Sequence, residues 1–139
     1  MHLRPNEALY LGPGNLHAYL HGFGLEVMGA SDNVVRGGLT PKHVDVDELL
    51  RVLSYEPMLD PIVRAQQRDD GRWHYPTPLA PFELSRIEVE HTLSYRAERG
   101  EVLMCTAGDA LRGTRAAWLS AGDVVELVGP STVFAIARA

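Results

Sequence analysis

The sequence predicts an all-β fold of the cupin or jelly-roll type (a double-stranded β-helix) with one short helix. Three observations predict it. The 139 residues include 13 glycines and 9 prolines, set between short apolar runs, as in many strands joined by turns. "LRPNEALYLGPGNLHAYL" (3–20) lines up with "LSAGDVVELVGPSTVFAI" (119–136). Each copy has a leucine, a turn ending in an acid, a strand, a Gly/Pro turn and a second strand, the repeating unit of a jelly roll. Finally, "VLMCT", "RAAWLS", "DVVELV" and "TVFAIAR" follow one another at short intervals, so the C-terminal third reads as β throughout.

Taken in order, "EALYLG" (7–12) and "LEVMGA" (25–30) are predicted strands. Between them, His17, Tyr19 and His21 recur at every second position, the spacing that puts strand residues on one face. "VDELLRVLSY" (46–55) is the predicted helix. Asp45 and Glu48 are spaced as a capping pair, and Leu49, Leu50 and Leu53 form an apolar stripe. Residues 56–81, rich in Pro, Asp, Arg and Gln, read as a long crossing segment. "FELSRIEVE" (82–90) is a strand whose alternation slips near Arg86, as a bulge would make it. In the second copy of the echo Val133 stands for His17 and Ala135 for Tyr19, so that copy reads as scaffold.

Composition removes several function classes. The formal net charge is -5 and the pI about 5.6, which argues against a nucleic-acid groove or a membrane-surface helix. Cys105 is the one cysteine, so there is no internal disulfide framework, and a reducing compartment is expected. No apolar run approaches the roughly 20 residues of a membrane span, and "MHLRPNEALYLG" lacks the layout of a signal peptide. A soluble cytoplasmic protein is the expectation.

The polar residues concentrate in "ASDNVVRGGLTPKHVDV" (30–46), which gathers Asp32, Asn33, Arg36, Lys42, His43 and Asp45 around Gly37, Gly38 and Pro41. Glycines permit close backbone approach. An arginine and a lysine on such a loop suit phosphate, one by bidentate hydrogen bonds and the other as a point charge. Asp32 near Arg36 reads either as an oriented acid/base or as a salt bridge, and the whole stretch also reads as a solvated loop leading into a capped helix. His17 alone is either a ligand or a histidine at a barrel rim, because a metal needs three or four ligands. His2, His74 and His91 fall in no ligand-spaced cluster. Glu83, Glu88 and Glu90 read as solvated or rim-paired strand residues, and Trp73 and Trp118 as packing.

The run from "EALYLGPGNLHAYLHG" through "SDNVVRGGLTPKHVDV" to "DELLRVLSY", about 50 contiguous residues, strongly resembles the type I mannose-6-phosphate isomerase family. "PTPLAPFELSRIEV" and "SAGDVVELVGPSTVFAIARA" resemble its C-terminal region more loosely. The resemblance implies an aldose–ketose isomerase that interconverts mannose 6-phosphate and fructose 6-phosphate through a cis-enediol, with zinc polarising the sugar oxygens. In that family a Gln, two His and a Glu from one cupin barrel hold the zinc, and only His17 of that set is matched here. Arg36 matches the arginine that stabilises negative charge and Asp32 an aspartate proposed for acid/base work. Lys42 matches a lysine at the substrate, and Tyr19 would orient substrate near the metal.

The chain is therefore expected to be a C-terminal portion of such an enzyme, completed by a missing N-terminal segment or a complementary chain and inactive alone. Residues 1–55 would be part of the catalytic barrel with its substrate loop, 56–81 a connection, and 82–139 a C-terminal cupin-like β domain. The competing expectation is a stand-alone small cupin module that binds a sugar phosphate without catalysis.

Overall fold

The computed structural model describes residues 1–31, 33–78 and 81–139. The chain divides into two compact units, one of Met1–Ala8 with Ile62–Ala139 and the other of Leu9–Pro61. The elements are β1 (Glu7–Leu9), α1 (Val46–Val52), β2 (Ile62–Arg64), β3 (Gln66–Gln67), β4 (Trp73–Tyr75), β5 (Phe82–Val89), β6 (Thr92–Arg96), β7 (Glu101–Ala107), β8 (Ala116–Leu119), β9 (Val124–Val128) and β10 (Ser131–Arg138).

In the larger unit a six-stranded sheet runs in the order β3-β4-β5-β10-β7-β8, and β6 pairs with β9. β5 and β7 each pair antiparallel with β10. Burial alternates strictly along β7 and β10 through their first six residues, as the period of two requires when one face meets a core. That face joins the inner residues of β6 and β9 in one apolar cluster around Leu103, Leu127 and Val133. The all-β cupin expectation holds, with α1 the one helix among the described residues.

The internal echo is visible in hydrogen bonds. In the first copy the Glu7 N–H donates to the Arg4 carbonyl at 3.1 Å, and the Arg4 N–H donates to the Glu7 carboxylate at 3.0 Å. In the second, the Asp123 N–H donates to the Ser120 carbonyl at 3.0 Å and the Ser120 N–H to the Asp123 carboxylate at 2.7 Å. The residue before the acid is left-handed in both, Asn6 at φ 69° and Gly122 at φ 92°, a conformation that Asn and Gly tolerate best. The turn ending in an acid is thus one structural unit used twice.

Three sequence expectations are corrected. β5 pairs with β10 over all eight of its residues without a break, so there is no bulge at Arg86; the register shift lies in β10 between Thr132 and Val133. The slip in alternation is one of polarity: Arg86 is buried because its guanidinium lies 5.4 Å over the Trp73 ring and pairs with Glu88. The 56–81 segment carries β2, β3 and β4, and the last two extend the main sheet.

The third correction concerns the smaller unit. Neither the end of "EALYLG" nor "LEVMGA" forms the predicted strand: β1 stops at Leu9, and residues 25–30 alternate half-buried and exposed without a ladder partner among the described residues. Alternating burial needs a neighbouring strand to become a sheet. The helix forms as expected, with the Asp45 carboxylate accepting from the Glu48 N–H at 3.0 Å. Glu48 does not reach back; it pairs with Arg51 at 2.5 Å. No residue of α1 is fully buried, and most exposed large apolar residues lie between Leu16 and Leu59, with Leu20, Phe23, Leu39 and Leu59 at least 85% exposed. No described helix is long and apolar enough to cross a membrane.

Candidate functional site

The smaller unit gathers its polar residues by two close backbone approaches. Gly14 has φ +80°, and a Cβ there would come within 2.6 Å of the Val52 carbonyl oxygen. Its own carbonyl accepts the Ser54 N–H at 2.9 Å, which ties the Gly/Pro turn to the end of α1. Gly37 lies directly against the Leu16 side chain, leaving no room for a Cβ. This contact sets the loop holding Arg36 beside the segment holding His17 and explains why glycine stands at 37. Farther along the loop, Leu39 is left-handed at φ 53° and 94% exposed. A non-glycine residue in that region costs of order 1–3 kcal/mol, the kind of local strain that collects at functional loops.

The His17 Nδ1–H donates to the Asn15 carbonyl oxygen at 3.0 Å. In the neutral imidazole this bond leaves the lone pair on Nε2. Histidines that bind metals are oriented in this way, by a backbone carbonyl on the other ring nitrogen. The ring therefore fits the role of one zinc ligand, although no group of three His, Cys, Asp or Glu able to hold a metal occurs among the described residues. His17 and Tyr19 meet edge to face with ring centroids 5.9 Å apart, although residues 17–21 do not form the strand that their spacing predicted. Partial desolvation of the Tyr19 hydroxyl, followed by the Glu26 carboxylate beside it, holds its pKa above the ordinary phenol value. At neutral pH Tyr19 is a protonated hydrogen-bond donor.

Arg36 and Lys42 are exposed, and neither has an ion-pair partner among the described residues. The Lys42 N–H donates to the Thr40 hydroxyl at 3.1 Å, which shapes the turn before the helix. Asp32 lies outside the described residues. Glu26 was not a candidate from the sequence. Its place beside Tyr19 depends on a chain path that a strand reading of 25–30 does not contain.

These features define a cupin-type chain with a histidine and a cationic glycine loop brought together on the smaller unit. Curated relatives agree along most of the length. The chain is 35% identical over 111 residues to mannose-6-phosphate isomerase of Salmonella typhimurium, covering 78% of this chain and 28% of that protein. It is 33% identical over 132 residues to a probable mannose-6-phosphate isomerase of Caenorhabditis elegans, covering 94% and 31%. Identity rises to 53% over 90 residues with the probable enzyme of Dictyostelium discoideum, covering 64% and 20%.

Among solved structures, mannose 6-phosphate isomerase from Salmonella typhimurium bound to substrate (f6p) and zinc shares the fold at a TM-score of 0.56 and 22% identity, over 80% of this chain and 32% of that one. No protein-family model matches. By its sequence the chain belongs with the mannose-6-phosphate isomerases. It spans less than a third of the length of the Salmonella and Caenorhabditis relatives.

Proposed function

We propose that this chain contributes the substrate loop and one metal ligand to a zinc-dependent isomerase that interconverts mannose 6-phosphate and fructose 6-phosphate through a cis-enediol. The carrying observation is the packing of Gly37 on Leu16, which brings the Arg36 loop to the His17 segment. His17 would hold zinc through Nε2. When bound, zinc supplies Lewis-acid polarisation of the sugar oxygens.

The chain's own residues then divide the remaining work. Arg36, exposed and without a carboxylate partner among the described residues, offers its guanidinium to the negative charge that develops as a proton moves between the first two sugar carbons. Asp32 is the proposed acid/base for that proton or for ring opening. Lys42 holds the phosphate as a point charge. Tyr19 donates its hydroxyl to the sugar and orients it.

On this reading the catalytic barrel extends beyond residues 1–55, and the C-terminal region, with β3 and β4 at the edge of its sheet, is the companion cupin-like part. The exposed apolar residues between Leu16 and Leu59 are the surface on which the remaining barrel packs, whether in the same polypeptide or in a complementary one. The single buried, unpaired cysteine suits a cytoplasmic setting.

The test is a chimera in which these 139 residues replace the matching C-terminal portion of the Escherichia coli relative, to which the chain is 34% identical. Fructose 6-phosphate formation is followed in a coupled assay. The chimera should turn over with zinc, and the 139-residue chain alone should not. In the chimera Arg36→Ala should lower kcat about 10²–10³-fold, whereas Lys42→Ala should chiefly raise KM. A folded, zinc-loaded chimera without turnover would refute the proposal. Sugar-phosphate binding by the chain alone, without zinc or turnover, would favour the stand-alone binding module.

A further inference from the structure

We propose, on the reading of His17 as a zinc ligand, that α1 positions that ligand: Gly14 and Ser54 latch the turn before His17 to the end of the helix, and the latched turn fixes which imidazole nitrogen is left to bind a metal. Gly14 and Asn15 are half-buried and His17 is exposed, so the turn has a packed base and a free ring.

The Gly14–Asn15 peptide is bonded on both sides. Its carbonyl accepts the Ser54 N–H at 2.9 Å, and its N–H donates to the Gly12 carbonyl at 3.4 Å. A peptide unit is planar, so the two bonds hold its plane against rotation. The next carbonyl along the chain, that of Asn15, lies 3.0 Å from the His17 Nδ1. Its direction follows from the fixed plane and the torsions of Asn15 alone. A carbonyl can only accept, so this bond requires the proton on Nδ1 and leaves the lone pair on Nε2.

The helix supplies an anchor with its own support. α1 is capped by the Asp45 carboxylate at its start and closed at its end by the Leu53 N–H on the Leu49 carbonyl at 3.0 Å. At Leu53 the chain turns extended, with φ -62° and ψ 135°. The Ser54 N–H is therefore the first backbone donor past the helix, and Gly14 is its acceptor. Glycine is required there. Its φ is +80°, and a Cβ would lie 2.6 Å from the Val52 carbonyl oxygen and 3.0 Å from the Ser54 nitrogen, backbone atoms that no rotamer change moves aside. At its other end α1 follows the Lys42 turn, with Asp45 as N-cap. One seven-residue helix thus joins the turn that aims His17 to the loop that carries Lys42.

The experiment reads the His17 tautomer by long-range proton–nitrogen NMR of the imidazoles in the full 139-residue chain, at about pH 8, above the ordinary imidazole range. His17→Ala identifies the signals. His17 should carry its proton on Nδ1, whereas free histidine favours Nε2. Ser54→Pro deletes the latch donor, because the extended Leu53 suits a following proline and proline is common just past a helix end. Both Ser54→Pro and Gly14→Ala should shift the His17 signals towards the Nε2–H form. In the chimera each should weaken zinc binding about 10–100-fold, with KM at saturating zinc unchanged. Arg51→Ala removes the Glu48 pair from the same helix, leaves the latch intact and should change neither readout. If Gly14→Ala does not fold, as judged by its amide spectrum, Ser54→Pro decides alone. An Nε2–H His17 in the unsubstituted chain, an unchanged tautomer or unaltered zinc affinity in Ser54→Pro, or an equal effect of Arg51→Ala would overturn the latch. Zinc binding by the chimera that survives His17→Ala would instead overturn the reading of His17 as a ligand, and the latch's role with it.

Discussion

Leu103→Ala tests whether the larger unit holds the stability of the chain. Leu103 is 0% exposed, sits at the centre of the apolar cluster, and faces Ala135 on β10 and Ala117 on β8 in register. Its small cross-strand neighbours cannot swing into the vacated space, so the lost transfer energy is joined by a cavity that barely relaxes. Buried Leu→Ala changes cost 2–5 kcal/mol, and poor relaxation puts this one at about 3–4 kcal/mol. In a domain of 60–100 residues, each kcal/mol moves the midpoint by about 4–8 °C, so Tm should fall by roughly 12–30 °C. The control is Leu59→Ala, the same deletion at a side chain 98% exposed, which should change stability by no more than about 0.5 kcal/mol. Urea and thermal unfolding followed by near-ultraviolet circular dichroism read both. A cost below about 1 kcal/mol for Leu103→Ala, or an equal cost for Leu59→Ala, would refute the assignment of the core.

Burial, followed by the hydrogen bond to Glu101 and that carboxylate's charge, pushes Tyr95 up to about 12. The unfolded tyrosine loses its proton near pH 10 while the folded one keeps it. The unfolded state therefore binds fewer protons between pH 10 and 12, and stability falls across that window by roughly 2–3 kcal/mol. Tyr95→Phe should flatten the alkaline slope seen in urea midpoints, while costing about 1–3 kcal/mol at neutral pH because Glu101 loses its donor; an unchanged slope would show that Tyr95 is not the titrating group. Zinc added to the isolated chain should bind weakly, since His17 brings one protein ligand and structural or catalytic sites use three or four. Calorimetry that shows tight stoichiometric binding abolished by His17→Ala would mean that the chain completes its own site. In the chimera His17→Ala should remove zinc and turnover together, as read by metal analysis and the coupled assay.

The parts of the fold that were legible in the sequence are those whose signal is local. The Asp45 cap and the two acid-ended turns are closed by hydrogen bonds spanning three residues, and the helix by bonds spanning four, so spacing alone contains them. Strands β5 and β7 to β10 of the larger unit were legible because their alternating residues find a core to alternate against, whereas the shorter β2, β3, β4 and β6 were not read as strands. Residues 25–30 carry the same alternation without a ladder, since periodicity states that a face exists but not what covers it. Arg86 was misread because a stacked, paired arginine occupies an interior position that a polarity pattern scores as a break. In the candidate site the residue types were legible, but not the contact of Gly37 with Leu16, which joins points 21 positions apart.

The two copies of the echo place different residues at matching positions of one pattern. Both begin with the same turn, Asn6 matching Gly122 and Glu7 matching Asp123. In the second copy the second strand, β10, lies between β5 and β7, so its inward positions must be small or apolar, and Val133 and Ala135 are both buried. A histidine or tyrosine there would have its polar atoms stranded in the core. In the first copy the matching positions, His17 and Tyr19, have no strand on either side among the described residues and keep their polar atoms accessible. The side chains able to do chemistry stand where the core makes no claim on them, and the copy that builds the core has given them up.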